Sequence, residues 1–267
     1  MPSQSEQGET FRQLHRKSQP LIVPNAYDAG TARLLAGLGF EALATTSSGL
    51  AFSLGRSDGV NAVSREETIA NARSICAASA LPVTADLERC FSEEPEGIAE
   101  TIRLAAEAGL VGGSIEDATS DPAAPIYDFS HAVERVHAAV EAARALPFAF
   151  TLTARAENFL HGRADLDDTL RRLQAFEQAG ADVLYAPLVP SETIGLVVSS
   201  LTKPVNVLVS SSNADLTYDE LAALGVARIS IGGALARVAL SAVTRAAQEI
   251  RTSGTFSYGK GLKPFPF

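Results

Sequence analysis

Very little in this sequence could staple, anchor or charge it for a large partner. Two cysteines among 267 residues, Cys76 and Cys90, cannot build a disulfide framework, and neither belongs to a Cys-x-x-Cys pair. That scarcity fits a reducing, cytoplasmic setting. Four histidines are scattered along the chain. His131 and His137 are out of step with the i, i+4 pair that a helix offers zinc, so a zinc site of that kind is not expected. No basic block interrupts a chain of net charge −9, which argues against nucleic acid and against an anionic membrane surface as partners. No apolar run approaches bilayer-spanning length. Met1 to Gln19 is polar and lacks the apolar core of a secretory leader.

What is present is a repeating pattern. Short apolar runs alternate with amphipathic or Ala-rich segments. The runs cover 21–25, 42–46, 82–88, 112–116, 148–155, 182–187, 205–210 and 228–233. Helices are predicted between them. Asp28 precedes Thr31 to Leu38, and Ser64 with Glu67 forms a capping box that opens a helix to about Ala78. Pro95 suits the first turn of a helix running to Ala108, with Gly109 as its stop. Further helices are expected at 130–145, 165–178, 192–200, 217–224 and 235–251. Between the second run and Ser64, Ser47 to Gly59 reads as a long polar loop. Eight strand-then-helix cycles without hairpin turns predict a parallel (β/α)8 TIM barrel forming one domain over 1–267. No Gly-x-Gly-x-x-Gly follows the first run, which weakens the rival reading of an open doubly wound sheet. The tail, Thr252 to Phe267, carries Phe256, Tyr258, Phe265 and Phe267. It is too apolar for a free end and is expected to pack on a neighbour.

The third run, Pro82-Val83-Thr84-Ala85-Asp86-Leu87-Glu88, ends on two acids that alternation would place on one face. Such a pair is costly unless a cation lies between them or one acid is protonated. The fourth run also ends on acids, Glu116 and Asp117. Asp86, Glu88 and Glu116 are therefore candidate ligands of Mg²⁺ or Mn²⁺, hard cations that favour carboxylates and water. In barrels of this kind, working groups sit at the C-terminal ends of the strands. Ser48 and Gly49 follow the second run, and their turn could offer N–H donors to a developing enolate oxygen, or be an ordinary Ser/Gly turn. Asp58 lies in the same segment as a supporting acid. Arg155 ends the fifth run, where Thr151, Thr153 and Arg155 form a polar face. It is placed either to grip an anion in two-pronged fashion or to pair with Glu157 or Glu116. His161 is a candidate acid or base. Cys90 is read as non-catalytic, because neighbouring carboxylates disfavour a thiolate.

Ala44-Thr45-Thr46-Ser47-Ser48-Gly49, Leu54-Gly55-Arg56-Ser57-Asp58, Ala85-Asp86-Leu87-Glu88, Ser114-Ile115-Glu116-Asp117 and Thr153-Ala154-Arg155 resemble, in order, the isocitrate lyase / phosphoenolpyruvate mutase superfamily. The resemblance implies a Mg²⁺-dependent (β/α)8 barrel, often a tetramer that exchanges its last helix between subunits. It implies chemistry at a C–C or P–C bond next to a 2-oxo acid, through a pyruvate-like enolate. Carried over, Ser48 and Gly49 bind the oxo acid. Asp58, Asp86, Glu88 and Glu116 hold the metal directly or through water, with Asp86 also facing substrate. Arg155 grips a carboxylate or phosphonate. Two departures stand out. The lyases' Lys-Lys-Cys-Gly-His loop is replaced by Ala118 to Asp128, which has neither Cys nor His. Arg89-Cys90-Phe91-Ser92 stands where relatives often have Gly-Tyr-Gly.

The expectation is a lyase cleaving a C–C bond of a small 2-hydroxy or 2-oxo carboxylate, with Ser48, Asp58 and Arg155 in catalysis. The alternatives are P–C bond chemistry, decarboxylation of an oxaloacetate-like acid, or a 2-oxo acid binding protein that has lost its catalytic loop. A homo-oligomer, dimer or tetramer, is expected.

Overall fold

The computed structural model describes residues 2–16, 18–119 and 121–264. Its eight strands are β1 (Leu21–Val23), β2 (Leu43–Ala44), β3 (Val83–Asp86), β4 (Gly112–Glu116), β5 (Thr151–Arg155), β6 (Val183–Tyr185), β7 (Val205–Leu208) and β8 (Arg228–Ser230). Every named pairing is parallel, and the sheet runs β1-β8-β7-β6-β5-β4-β3-β2. The remaining seam is bridged at Asn25 and Ala44. There Ala44 N–H donates to Pro24 O at 3.0 Å and Ala26 N–H to Ala44 O at 2.7 Å. This is the predicted (β/α)8 barrel.

The α-helices among the described residues are α1 (Gln4–Leu14), α2 (Ala29–Gly37), α3 (Ser47–Ser53), α4 (Arg65–Ala78), α5 (Pro95–Glu107), α6 (Phe129–Arg144), α7 (Leu166–Gln178), α8 (Ile194–Ser199), α9 (Tyr218–Ala223) and α10 (Ala234–Ser253). The caps read from the sequence form. Asp28 accepts from Thr31 N–H, and Ser64 exchanges bonds with Glu67. Gly109 (φ +100°) takes the left-handed turn after α5, a conformation that any Cβ would strain. Outward residues of the strands, such as Ala85, Ile115, Leu152 and Ala154, are buried under the helices. Toward the C-terminal ends of the strands the inward face is polar, and Thr84, Asp86, Ser114, Glu116, Thr153 and Arg155 line a cavity there.

Two sequence expectations need correcting, at the loop after β2 and at the end of the third strand; in addition, the polar start folds into α1, capped by a Ser3–Glu6 box. Phe11 and Leu14 of this helix cluster with Leu21, Val23, Ala42, Ala44 and Val111 of the barrel. The supposed loop after β2 begins with helix α3, because Thr46 Oγ1 accepts the Gly49 N–H and starts a turn. The third strand stops at Asp86. Glu88 lies beyond it at φ +50°, so Asp86 and Glu88 do not share a strand face.

Helix α10 is mostly exposed: Ala236 is its one buried residue. Leu240, Val243 and Ile250 fall at spacings of three and seven and are 48%, 65% and 41% exposed, leaving an apolar stripe bare. Phe256 and Tyr258 beyond it are also exposed. Phe265 and Phe267, expected to pack on a neighbour, lie outside the described residues.

Candidate active site

A cavity of about 1000 Å³ opens at the C-terminal ends of the strands. Ser48, Asp58, Asp86, Glu88, Glu116, Arg155 and His161 all line it; Gly49 does not. Gly49 is buried and its N–H is turned to Thr46 Oγ1 at 3.3 Å, so it is not aimed at a ligand.

Arg155 organises the acids. Its Nη1 lies 2.8 Å from Asp86 Oδ1 and 3.1 Å from Glu116 Oε2, and its Nε donates to Glu157 Oε1 at 2.8 Å. Both structural pairs that the spacing allowed therefore form, with Asp86 added. The β4–β5 register dictates this, because Glu116 stands directly beside Arg155. Burial works against the Arg155 charge, but Glu116, Glu157 and Asp86 together hold its pKa well above the ordinary value. Burial pushes the Glu116 carboxyl well up, against the pull of Arg155, with Glu157 adding to the rise. Asp86 differs. Burial opposes its charge, yet Arg155 and Ser47 keep its carboxyl below the usual carboxylate value. Ser47 Oγ donates to Asp86 Oδ2 at 2.7 Å, and Asp86 N–H donates to Thr45 Oγ1 at 3.0 Å.

Glu88 reaches the cavity through an unusual turn. Glu88, Cys90 and Phe91 all have positive φ (50°, 58° and 55°), and each non-glycine residue held there is uncommon and strained. The buried Arg135 of α6 clamps the turn, donating to Arg89 O at 2.6 Å and Ser92 O at 2.7 Å. Glu116 N–H donates to Glu88 O at 3.1 Å, tying the turn to β4. Burial, then Asp86 and Asp58, push the Glu88 carboxyl up to about 7. Asp58 is raised for the same reasons, burial first and Asp86 next. Cys90 is fully buried, and that burial lifts its thiol to about 12. Burial and Arg155 lower the His161 pKa, keeping its imidazole neutral near pH 7.

The donor set fits a divalent cation held largely through water. Asp58, Asp86, Glu88 and Glu116 crowd one cavity with Arg155 as the cation paired to Asp86 and Glu116, and the Glu88 carboxyl is raised by burial first and by Asp86 and Asp58 next. Among the described residues no three His, Cys, Asp or Glu side chains stand close enough to grip a metal directly. Mg²⁺ keeps several waters and takes one or two carboxylates, so direct three-fold ligation is not required.

Sequence reading left Ser47 and Tyr185 without a role of their own, and gave Glu157 only as a pairing partner of Arg155. Ser47 holds Asp86. Glu157 is fully buried beside Arg155. The Tyr185 ring lies 5.2 Å from the Arg155 guanidinium carbon. Alternation along β6 could have placed Tyr185 inside the barrel. The hold of Ser47 on Asp86 joins segments far apart in the chain, which spacing does not reveal.

Comparison with known proteins bears on this geometry. Residues 11–251 match the family model described as phosphoenolpyruvate phosphomutase. An uncharacterized Mycobacterium tuberculosis protein is 32% identical over 90% of this chain and 88% of its own length. The 2-methylisocitrate lyase of Salmonella typhimurium is 30% identical over 67% of this chain and 61% of its own length. A crystal structure from Burkholderia cenocepacia J2315, described no further than as a lyase/mutase, superposes with a TM-score of 0.94. It is 55% identical and covers 98% of this chain and 93% of its own. The barrel, its acidic mouth and this match over most of the chain agree: the protein belongs to the phosphoenolpyruvate phosphomutase family.

Proposed function

We propose that the protein is a Mg²⁺-dependent lyase that cleaves a C–C bond of a small 2-hydroxy or 2-oxo carboxylate through a pyruvate-like enolate; Mn²⁺ would serve as well. The observation that carries this reading is Arg155 set among Asp86, Glu116 and Glu157 at the cavity mouth, with Glu88 and Asp58 beside them. Asp86, Glu88 and Glu116 would hold the ion, directly or through water, with Asp58 in support. When bound, Mg²⁺ supplies Lewis-acid polarisation of the substrate oxygen that gains charge. Arg155 orients a substrate carboxylate. Its guanidinium is pre-positioned by carboxylates and by the Tyr185 ring, so little reorganisation accompanies binding. Ser47 fixes Asp86, and Ser48 lines the same wall. His161, held neutral, can accept the hydroxyl proton as the C–C bond breaks and its electron pair moves onto the enolate. Arg155, Asp86 and Glu116 are largely buried in the barrel mouth, which restricts water around them.

The relatives named for an activity support the reaction class. They include a 2-methylisocitrate lyase and a 2,3-dimethylmalate lyase matched over about two thirds of this chain, and a second 2-methylisocitrate lyase matched over 96% of it. The second reading is P–C bond chemistry or decarboxylation of an oxaloacetate-like acid. It is favoured by the segment 118–128, which holds no Cys or His to act as the lyases' acid. We also infer a cytoplasmic homo-oligomer, dimer or tetramer, in which α10 packs on a neighbouring subunit. Its bare apolar stripe is the support for that.

The test is pyruvate release from 2-hydroxy di- and tricarboxylates and from phosphonopyruvate. The enzyme is stripped with EDTA and then given Mg²⁺. Metal-restored release from a hydroxy acid supports the lyase. Release from phosphonopyruvate alone favours P–C chemistry. No release from any acid would leave a binding protein.

A further inference from the structure

Arg228, the first residue of β8, has no carboxylate partner among the described residues, unlike Arg155. Its side chain is buried, with 5% of the residue exposed, and it lines the cavity. Nε donates to Asn206 Oδ1 at 2.8 Å and Nη2 to Thr153 Oγ1 at 3.0 Å, both neutral acceptors. Nη1 is buried and makes no hydrogen bond. Thr153 sits two residues before Arg155 on β5, so this guanidinium lies one layer deeper in the barrel, beneath the acid cluster. Burial lowers its pKa to about 10. Tyr185 and Arg155 are the titratable neighbours that act on it, and neither carries a compensating negative charge at neutral pH.

A lone cation in a protein interior is strongly unfavourable unless something anionic meets it. The groups around Arg228 leave that role open. Asn206 is already committed to Ser230 Oγ at 2.9 Å. His15, the residue that caps the end of α1, is neutral, its pKa lowered to about 3 by burial and then by Arg228. Its Nδ1 lies 2.8 Å from Phe11 O and must carry the proton. Resting on the reading that this cavity takes small carboxylates, we propose that Arg228 forms an anion subsite at the cavity floor. Its unpaired Nη1 receives a second carboxylate of the substrate while Arg155 holds the reacting end. The protein thereby selects dicarboxylates over monocarboxylates.

The test compares malonate with propionate, matched in carbon number, by calorimetric titration of wild type and Arg228→Met in EDTA. Without metal, the measurement does not depend on the proposed turnover. Wild type is expected to bind malonate at least about tenfold more tightly than propionate. Arg228→Met is expected to melt at or above the wild-type temperature without ligand, because replacing an unpaired buried charge with an apolar chain of similar length is neutral or stabilising. It should lose the preference. Absence of a preference in wild type overturns the proposal, as does an undiminished preference in Arg228→Met. Reduced stability with the preference intact overturns it too, and makes the arginine a structural strut. Should that variant not fold, Arg228→Lys decides. It keeps the charge without the fork, and is expected to lower the preference at least about threefold; an unchanged preference there also overturns the subsite. Loss of the preference in an enzyme that releases no pyruvate would sink the lyase reading and leave the subsite standing.

Discussion

Arg155 and Asp86 meet at 2.8 Å across the mouth of the barrel, joining the end of β5 to the end of β3. Two strands separate in the chain are thereby fixed to each other at the point where chemistry is proposed. The same guanidinium neutralises Glu116 and the fully buried Glu157.

Removing the guanidinium therefore exposes the cost of those acids. Arg155→Met is expected to lose about 3–5 kcal/mol of stability at neutral pH, the usual penalty for leaving buried charges unpaired. The sign with pH follows from the raised Glu116 and Glu157 carboxyls. They take up protons more readily in the folded state than in the unfolded one. Stability of the variant should recover as pH falls from 8 to 5. Urea melts at both pH values measure it, and an equal loss at each would contradict the assignment.

Asp86→Ala is expected to keep the fold and lose Mg²⁺-dependent binding of oxalate, an enolate mimic. The variant relieves acid crowding on Glu88 while releasing Ser47 and Arg155 from their common partner. Oxalate binding with an unaltered Mg²⁺ requirement would mean that the metal is held elsewhere.

Cys90→Ser should leave turnover within about twofold, because the thiol is buried and its pKa of about 12 denies it a thiolate. The cost is structural: a hydroxyl placed in an apolar site destabilises by about 1–3 kcal/mol. Lost turnover in a correctly folded variant would restore Cys90 as a catalytic candidate.

His15 makes the acid limb of stability steep. Burial, with Arg228 nearby, lowers its pKa to about 3 from an ordinary 6.5. The unfolded chain thus binds the proton that the folded protein refuses. The stabilisation is complete above pH 6.5 and is lost progressively as pH falls toward 3, amounting to roughly 2 kcal/mol by pH 5. His15→Phe is expected to flatten that limb in melts between pH 7 and 4.5. An unchanged slope would show that the histidine does not titrate with unfolding.

Val243 is 65% exposed on the bare stripe of α10. Val243→Lys places a charge where a neighbouring subunit is proposed to pack. Light scattering should show a smaller assembly than wild type. The same mass for both would remove α10 from the interface.

The β/α alternation, the caps at Asp28 and Ser64 and the parallel barrel were legible from local pattern, because each depends on neighbours within a few residues. The Ser3–Glu6 box was equally legible, but polar composition masked it. Gly49 shows the limit of spacing: it stands where a donor to the ligand was expected, yet the cap of α3 consumes its N–H.

Sequence alone was enough to bring Asp86, Glu116 and Arg155 to strand ends, since a period of two and the length of each β/α cycle decide which residues reach the rim. It could not decide what those groups do to one another. Which acid Arg155 neutralises, that Glu88 arrives through a left-handed turn clamped by Arg135, and that Arg228 is left without an anion all depend on registers and contacts between segments far apart in the chain. Charge and burial act through space, and only the folded barrel sets those distances.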